Sequence, residues 1–70
     1  MSNEFNELRE RFETLFDKVF DNSVGIKACG RDLCRQLIVA ANRLEPGVRH
    51  GNIETGTMDV DSILKLKRSL

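Results

Sequence analysis

Seventy residues, with eleven basic and eleven acidic side chains and a net charge of zero, make one small domain at most. The balance argues against a polybasic nucleic-acid binder and equally against an acidic mimic of nucleic acid. Four phenylalanines and no tryptophan or tyrosine leave the core mainly to aliphatic residues, and a chain this short buries only about 60% of the surface its unfolded form exposes, so a staple or self-association is expected.

The first element is an amphipathic helix predicted over residues 3–20. Phe5, Leu8, Phe12, Leu15 and Val19 recur at spacings of three and four, and Phe16 and Phe20 widen the stripe. Ser2 or Asn3 can cap its start, and Glu4 and Glu7 suit the positive end of the helix dipole. Asp21-Asn22-Ser23 is turn chemistry.

A second helix is predicted over 24–44, capped by Ser23 and stopped by Pro46-Gly47. Ile26, Gly30, Leu33, Leu37, Ala40 and Leu44 form its main stripe, with Cys34, Ile38 and Ala41 beside it and Val39 near its other flank. One neighbour needs one stripe, so two lines predict contact from two sides. Glycine inside a helix costs about 1 kcal/mol relative to alanine. Gly30 therefore reads as a close crossing with another backbone, or alternatively as a break in the helix. Gly30, Cys34, Ile38, Val39 and Ala41 are the predicted oligomer or partner interface.

The stretch 47–57 has three glycines and no helical period. Residues 48–55 read as a small hairpin turning at Gly51-Asn52, or as a plain surface loop. A third, short helix is predicted over 59–69, with Thr57 or Asp59 as cap, Val60, Ile63, Leu64 and Leu70 as apolar face, and Lys65, Lys67 and Arg68 at the end that favours cations. It needs the helix pair or a second chain to hold it.

These elements predict a single all-α domain, 1–70, built as an antiparallel helical hairpin plus a short C-terminal helix that dimerises or oligomerises into a bundle. The charges favour that pairing. Residues 1–23 hold six acids and three bases, residues 24–45 four bases and two acids, and residues 46–70 four bases and three acids. Exposed pairs of this kind contribute well under about 1 kcal/mol each, enough to orient neighbours. No leader pattern and no run of ~20 apolar residues is present, and two cysteines five positions apart make no disulfide framework. A cytoplasmic, reducing compartment is the expectation.

The chemistry-bearing residues are few. His50, beside Arg49 and Gly51, has no orienting carboxylate or nucleophile nearby in sequence, and reads as a solvated loop residue. Cys29 and Cys34 point about 140° apart on a helix, which with His50 falls one ligand short of a zinc site. No enzyme, metal or cofactor is expected. Lys27, Arg31 and Arg35 make a basic line that, with Arg49 and His50, would contact nucleic acid; Arg49, His50 and Gly51-Asn52 would equally suit a small anionic or nucleotide ligand. The preferred expectation is a homo-oligomer that binds a protein stoichiometrically as an adaptor or inhibitor-type regulator, a role in keeping with small bacterial and phage proteins.

Overall fold

The chain is seen in a computed structural model that describes residues 2–21, 25–26 and 30–70, with side chains described for 3–20 and 30–70. Helix α1 runs Ser2–Val19, α2 Arg31–Leu44 and α3 Val60–Ser69. Two very short antiparallel ladders join them. Phe20–Asp21 (β1) pairs with Gly25–Ile26 (β2), and Gly51–Asn52 (β3) pairs with Thr57–Met58 (β4). The molecule is mostly helical, as expected from the apolar periodicity, but not purely so.

One core holds the three helices. Phe12, Leu15 and Val19 of α1 meet Leu37, Ala40 and Ala41 of α2, with Ile63 and Leu66 of α3 inserted beside them. Arg43 lies level with the first turns of α1, and Gln36 with Thr14 and Lys18, so α1 and α2 are antiparallel. Phe16 extends the core laterally, stacking on Phe20 at a centroid separation of 4.4 Å. Lys67 Nζ lies 5.7 Å from the Phe16 ring centroid and 3.2 Å from Glu13 Oε2, which holds the end of α3 against α1. The Asp59 carboxylate caps α3 by accepting from the Ser62 N–H at 3.3 Å, as its sequence position predicted.

The second helix departs from the reading over 24–44. Gly25–Ile26 is extended and pairs back onto the end of α1, and α2 begins only at Arg31. Gly30 is its N-cap residue, with φ −71° and ψ 163°, so it marks a break rather than a crossing. A Cβ added there would meet nothing within 4 Å. The apolar run from Val24 masked this break, because Ile26 stays in phase with Leu33 and Leu37. Serine 23, the predicted cap, lies outside the described residues.

The double apolar face of α2 is closed within the chain. Ala41 belongs to the helical core, and Ile38, fully buried, lies under the β3–β4 hairpin. The hairpin itself is shifted from the sequence expectation. Gly51 and Asn52 are its first strand, and the turn is Ile53–Gly56, closed by the Gly56 N–H on the Asn52 carbonyl at 2.9 Å. Asn52 Oδ1 also accepts from the Glu54 N–H at 2.9 Å, and Gly56 takes φ +71°. Gly51 is needed for a different reason. Its φ is +151°, and a Cβ would come within 2.6 Å of the Thr57 carbonyl and 2.8 Å of Ile38 Cδ1.

Candidate interaction surface

His50 is the largest departure from the sequence expectation. It is not a solvated loop residue: its side chain is fully buried. Its Nδ1 lies 2.9 Å from Asn42 Oδ1 and its Nε2 lies 2.9 Å from Glu45 Oε1. The Nε2–H donates to the Glu45 carboxylate. Nδ1 donates to Asn42 Oδ1 when the ring is protonated, or accepts from the amide of a flipped Asn42 when it is neutral. Asn42 stands in the last turn of α2 and Glu45 is the residue that caps its end, three positions on. The carbonyl of His50 in turn accepts from the Asp59 N–H at 2.8 Å. This residue ties the 45–59 connector to α2 at one end and to the start of α3 at the other.

Arg35 fastens the same connector further along α2. Its Nε–H donates to the Ile53 carbonyl and its Nη2–H to the Glu54 carbonyl, both at 2.9 Å, and Asp32 lies 3.7 Å from Nη1. Two of its donors are thus directed at the backbone of the turn. Arg31 is exposed, its stem packed 3.1 Å from the position a Cβ would take on Gly56. Lys27 lies outside the described residues. Arg49 is exposed on a shallow depression with Gly51, Asn52, Thr57 and Asp59, while His50 points the opposite way into the protein. Of the described residues in this set, Arg31 and Arg35 both lie against the 53–56 turn, whereas Arg49 lines the depression beside the strands and the His50 side chain is buried.

Of the predicted interface residues, Ile38 and Ala41 are buried inside the chain, Cys34 is half-buried and Gly30 is exposed at the start of α2. Cys29 lies outside the described residues. Among the described residues no cluster of three or more metal-ligating side chains is found, and no helix is long and apolar enough to cross a membrane. No family model, curated protein or solved structure matches the chain.

Among the described residues, the exposed large apolar side chains are Phe5 on α1, Val39 on α2, and Val48 and Ile53 in the connector. Val39, Val48 and Ile53 are 36%, 41% and 44% exposed. Val39 stands four residues after Arg35 and three before Asn42, on the flank of α2 that Arg35 joins to Ile53 and Asn42 joins to His50. Val39 and Ile53 therefore border the seam between α2 and the connector, and Val48 lies in the connector two residues before His50. Phe5 is separate. It belongs to the core stripe of α1 but is 49% exposed, one turn from the start of that helix. Beside it opens a cleft of about 540 Å³ lined by Glu4, Glu7, Leu8, Arg11 and Arg43. Sequence periodicity placed Phe5 in the core, since the stripe alone does not reveal where the opposite helix stops.

Proposed function

We propose that this protein is a small helical module that works by stoichiometric binding to another polypeptide, as an adaptor or inhibitor-type regulator. The observation that carries the reading is the α2 flank and the connector beside it, where Val39, Val48 and Ile53 stay about two-fifths exposed although Leu37, Ile38, Ala40 and Ala41 of α2 are buried within the chain. Isolated exposed aliphatics need no explanation, but Val39 and Ile53 on the two sides of one seam are the kind of apolar surface that partners cover. The surrounding charges are mixed, with Arg43 and Arg49 against Asp32 and Glu54, which suits recognition by shape and apolar contact more than long-range attraction to a polyanion. The engagement of Arg35 with backbone carbonyls works against the nucleic-acid and anion alternatives, because its donors are directed inward.

The test is capture from a cell extract with and without nuclease, using the unaltered chain and a Val39→Ser, Ile53→Ser variant. A bound polypeptide that survives nuclease and is lost with the variant, at unchanged thermal melting, supports the reading. Retention of the same polypeptide by the variant removes the flank from the function. Binding that disappears with nuclease, or falls steeply with salt, replaces it with nucleic-acid recognition.

A further inference from the structure

We infer that the partner of the α2 flank is an amphipathic helix whose aliphatic side chains are flanked by carboxylates. Arg31, Arg35, Val39 and Arg43 stand four residues apart along α2 and form one ridge, the row that packs into the groove of a facing helix. Each step of four advances about 40° around the helix. The row therefore runs obliquely, from the 53–56 turn, where the Arg31 stem lies against Gly56, to the cleft that Arg43 shares with α1. All of it reaches solvent: Arg31 and Arg43 are exposed, Val39 is 36% exposed and the Arg35 side chain 39%. Val39 thus has one guanidinium group a turn before it and another a turn after it.

The charges along the row select the occupant. Among the described residues neither Arg31 nor Arg43 pairs with a carboxylate. Arg35 gives two of its donors to the Ile53 and Glu54 carbonyls, which carry no net charge, and its ion-pair partner Asp32 stands 3.7 Å away with its side chain 90% exposed. A long, solvated pair of this kind neutralises little. The ridge is locally basic even though the chain as a whole is balanced. A second copy laid ridge on ridge does not fit. Antiparallel, with Val39 on Val39, it sets Arg35 against Arg43, and parallel it sets each arginine against itself. A nucleic acid would satisfy the arginines but leave Val39 facing a phosphate backbone. A helix with an aliphatic residue between two carboxylates, each four positions away, meets Arg35, Val39 and Arg43 together. This inference rests on reading the α2 flank as a binding surface, and it names the chemistry of what that surface binds.

The probe is a synthetic, alanine-based helical peptide of about fifteen residues, with a central leucine and a glutamate four positions to either side. It is titrated into the isotope-labelled full chain and followed by NMR at the Val39 methyl groups and the Arg35 Nε–H. Two control peptides replace the leucine with serine or the glutamates with lysine, and a DNA duplex is the fourth ligand. The acidic leucine peptide is expected to bind with a dissociation constant of roughly 1 mM or below, and each control peptide roughly tenfold more weakly. Val39→Ser should weaken that binding by about tenfold. Arg31→Glu with Arg43→Glu should reverse the preference, so that the lysine peptide becomes the better ligand. Both variants should keep the circular dichroism and melting of the unaltered chain.

Peptides that bind alike whatever their charge, or no binding up to the millimolar range, would overturn the inference. So would a serine peptide or a duplex that binds as tightly as the leucine peptide, because the ridge would then be a plain polyanion site. The inference and the proposed function fail separately. If the flank variant loses a captured polypeptide but the acidic leucine peptide is not preferred, only the partner's chemistry is wrong. If the peptide binds as described but capture is indifferent to the flank variant, the ridge keeps its specificity and the proposed function is lost.

Discussion

The α1–α2 core and the 45–59 connector each contain fully buried side chains, yet they are held by different forces. Between the helices every buried contact is apolar: Phe12, Leu15 and Val19 against Leu37, Ala40 and Ala41. The connector lies on Ile38 and packs its half-buried Met58 against the core, but it is also fastened by directional polar contacts, those of Arg35 to the turn carbonyls and those of Asn42 and Glu45 to His50. Apolar burial is additive and forgiving, whereas each polar contact depends on its partner staying in place. Damage to the core should therefore loosen the whole molecule, and damage to the connector should loosen that segment first.

The largest expected effect lies in the core. Phe12 is fully buried, so Phe12→Ala removes a ring from the junction of all three helices and should cost about 3–5 kcal/mol. In a domain this small a change of that size lowers the melting temperature by more than about 10 °C. Chemical denaturation followed by far-UV circular dichroism checks it. A shift of only a degree or two would mean that α1 and α2 do not share the core described.

His50→Leu tests the other region. Leucine fills much of the volume but leaves Asn42 and Glu45 without their partner, a loss of about 1–3 kcal/mol. Hydrogen exchange should reveal where that loss falls. Amides of residues 51–58 are expected to exchange faster, while those in the middle of α1 follow only the global change. Uniform acceleration along the chain would show that connector and core open together, and the contrast between them would disappear. His50→Gln, which keeps polar atoms at the ring's position, should recover part of the protection.

The same division explains what could be read from the sequence. Helix α1, helix α3 and its Asp59 cap follow from periodicity and end chemistry, because apolar spacing and capping are local signals. At Gly30 the sequence leaves both a crossing and a break open, since Ile26 lies in phase with Leu33 and only the ladder with the end of α1 reveals that the phase is coincidental. His50 looks solvated in the sequence because its partners, Asn42 in the last turn of α2 and Glu45 at its cap, stand eight and five positions away and carry no periodic signal. No periodic pattern announces a buried polar clamp. The exposed Phe5 was hidden for the converse reason: its spacing is right, but nothing covers it.

Gly51→Ala should also act on the connector alone. Its φ of +151° and the approach of the Thr57 carbonyl to 2.6 Å leave no room for a methyl group. The strand must shift, at a cost of about 1–3 kcal/mol. A melt accompanied by exchange measurements should place the loss at residues 51–58, as for His50→Leu. If the substitution is silent, the hairpin does not lie on Ile38 as described.

The smallest expected effect has the opposite sign and sits at the other glycine. Gly30 has ordinary extended dihedrals, open space around it and no side-chain hydrogen bond at the start of α2. Gly30→Ser supplies an oxygen that can accept from the exposed N–H groups of the first turn, and it also reduces the freedom of the unfolded chain. The two contributions together should stabilise the protein by about 0.5–1 kcal/mol, read as a small rise in the denaturation midpoint with an unchanged slope. If glycine were instead required for close backbone contact inside a continuous helix, the same substitution would destabilise. The sign of this one change therefore decides between a helix that starts at Arg31 and one that runs through from residue 24, and with it whether the first joint is built from a ladder or from a tight turn.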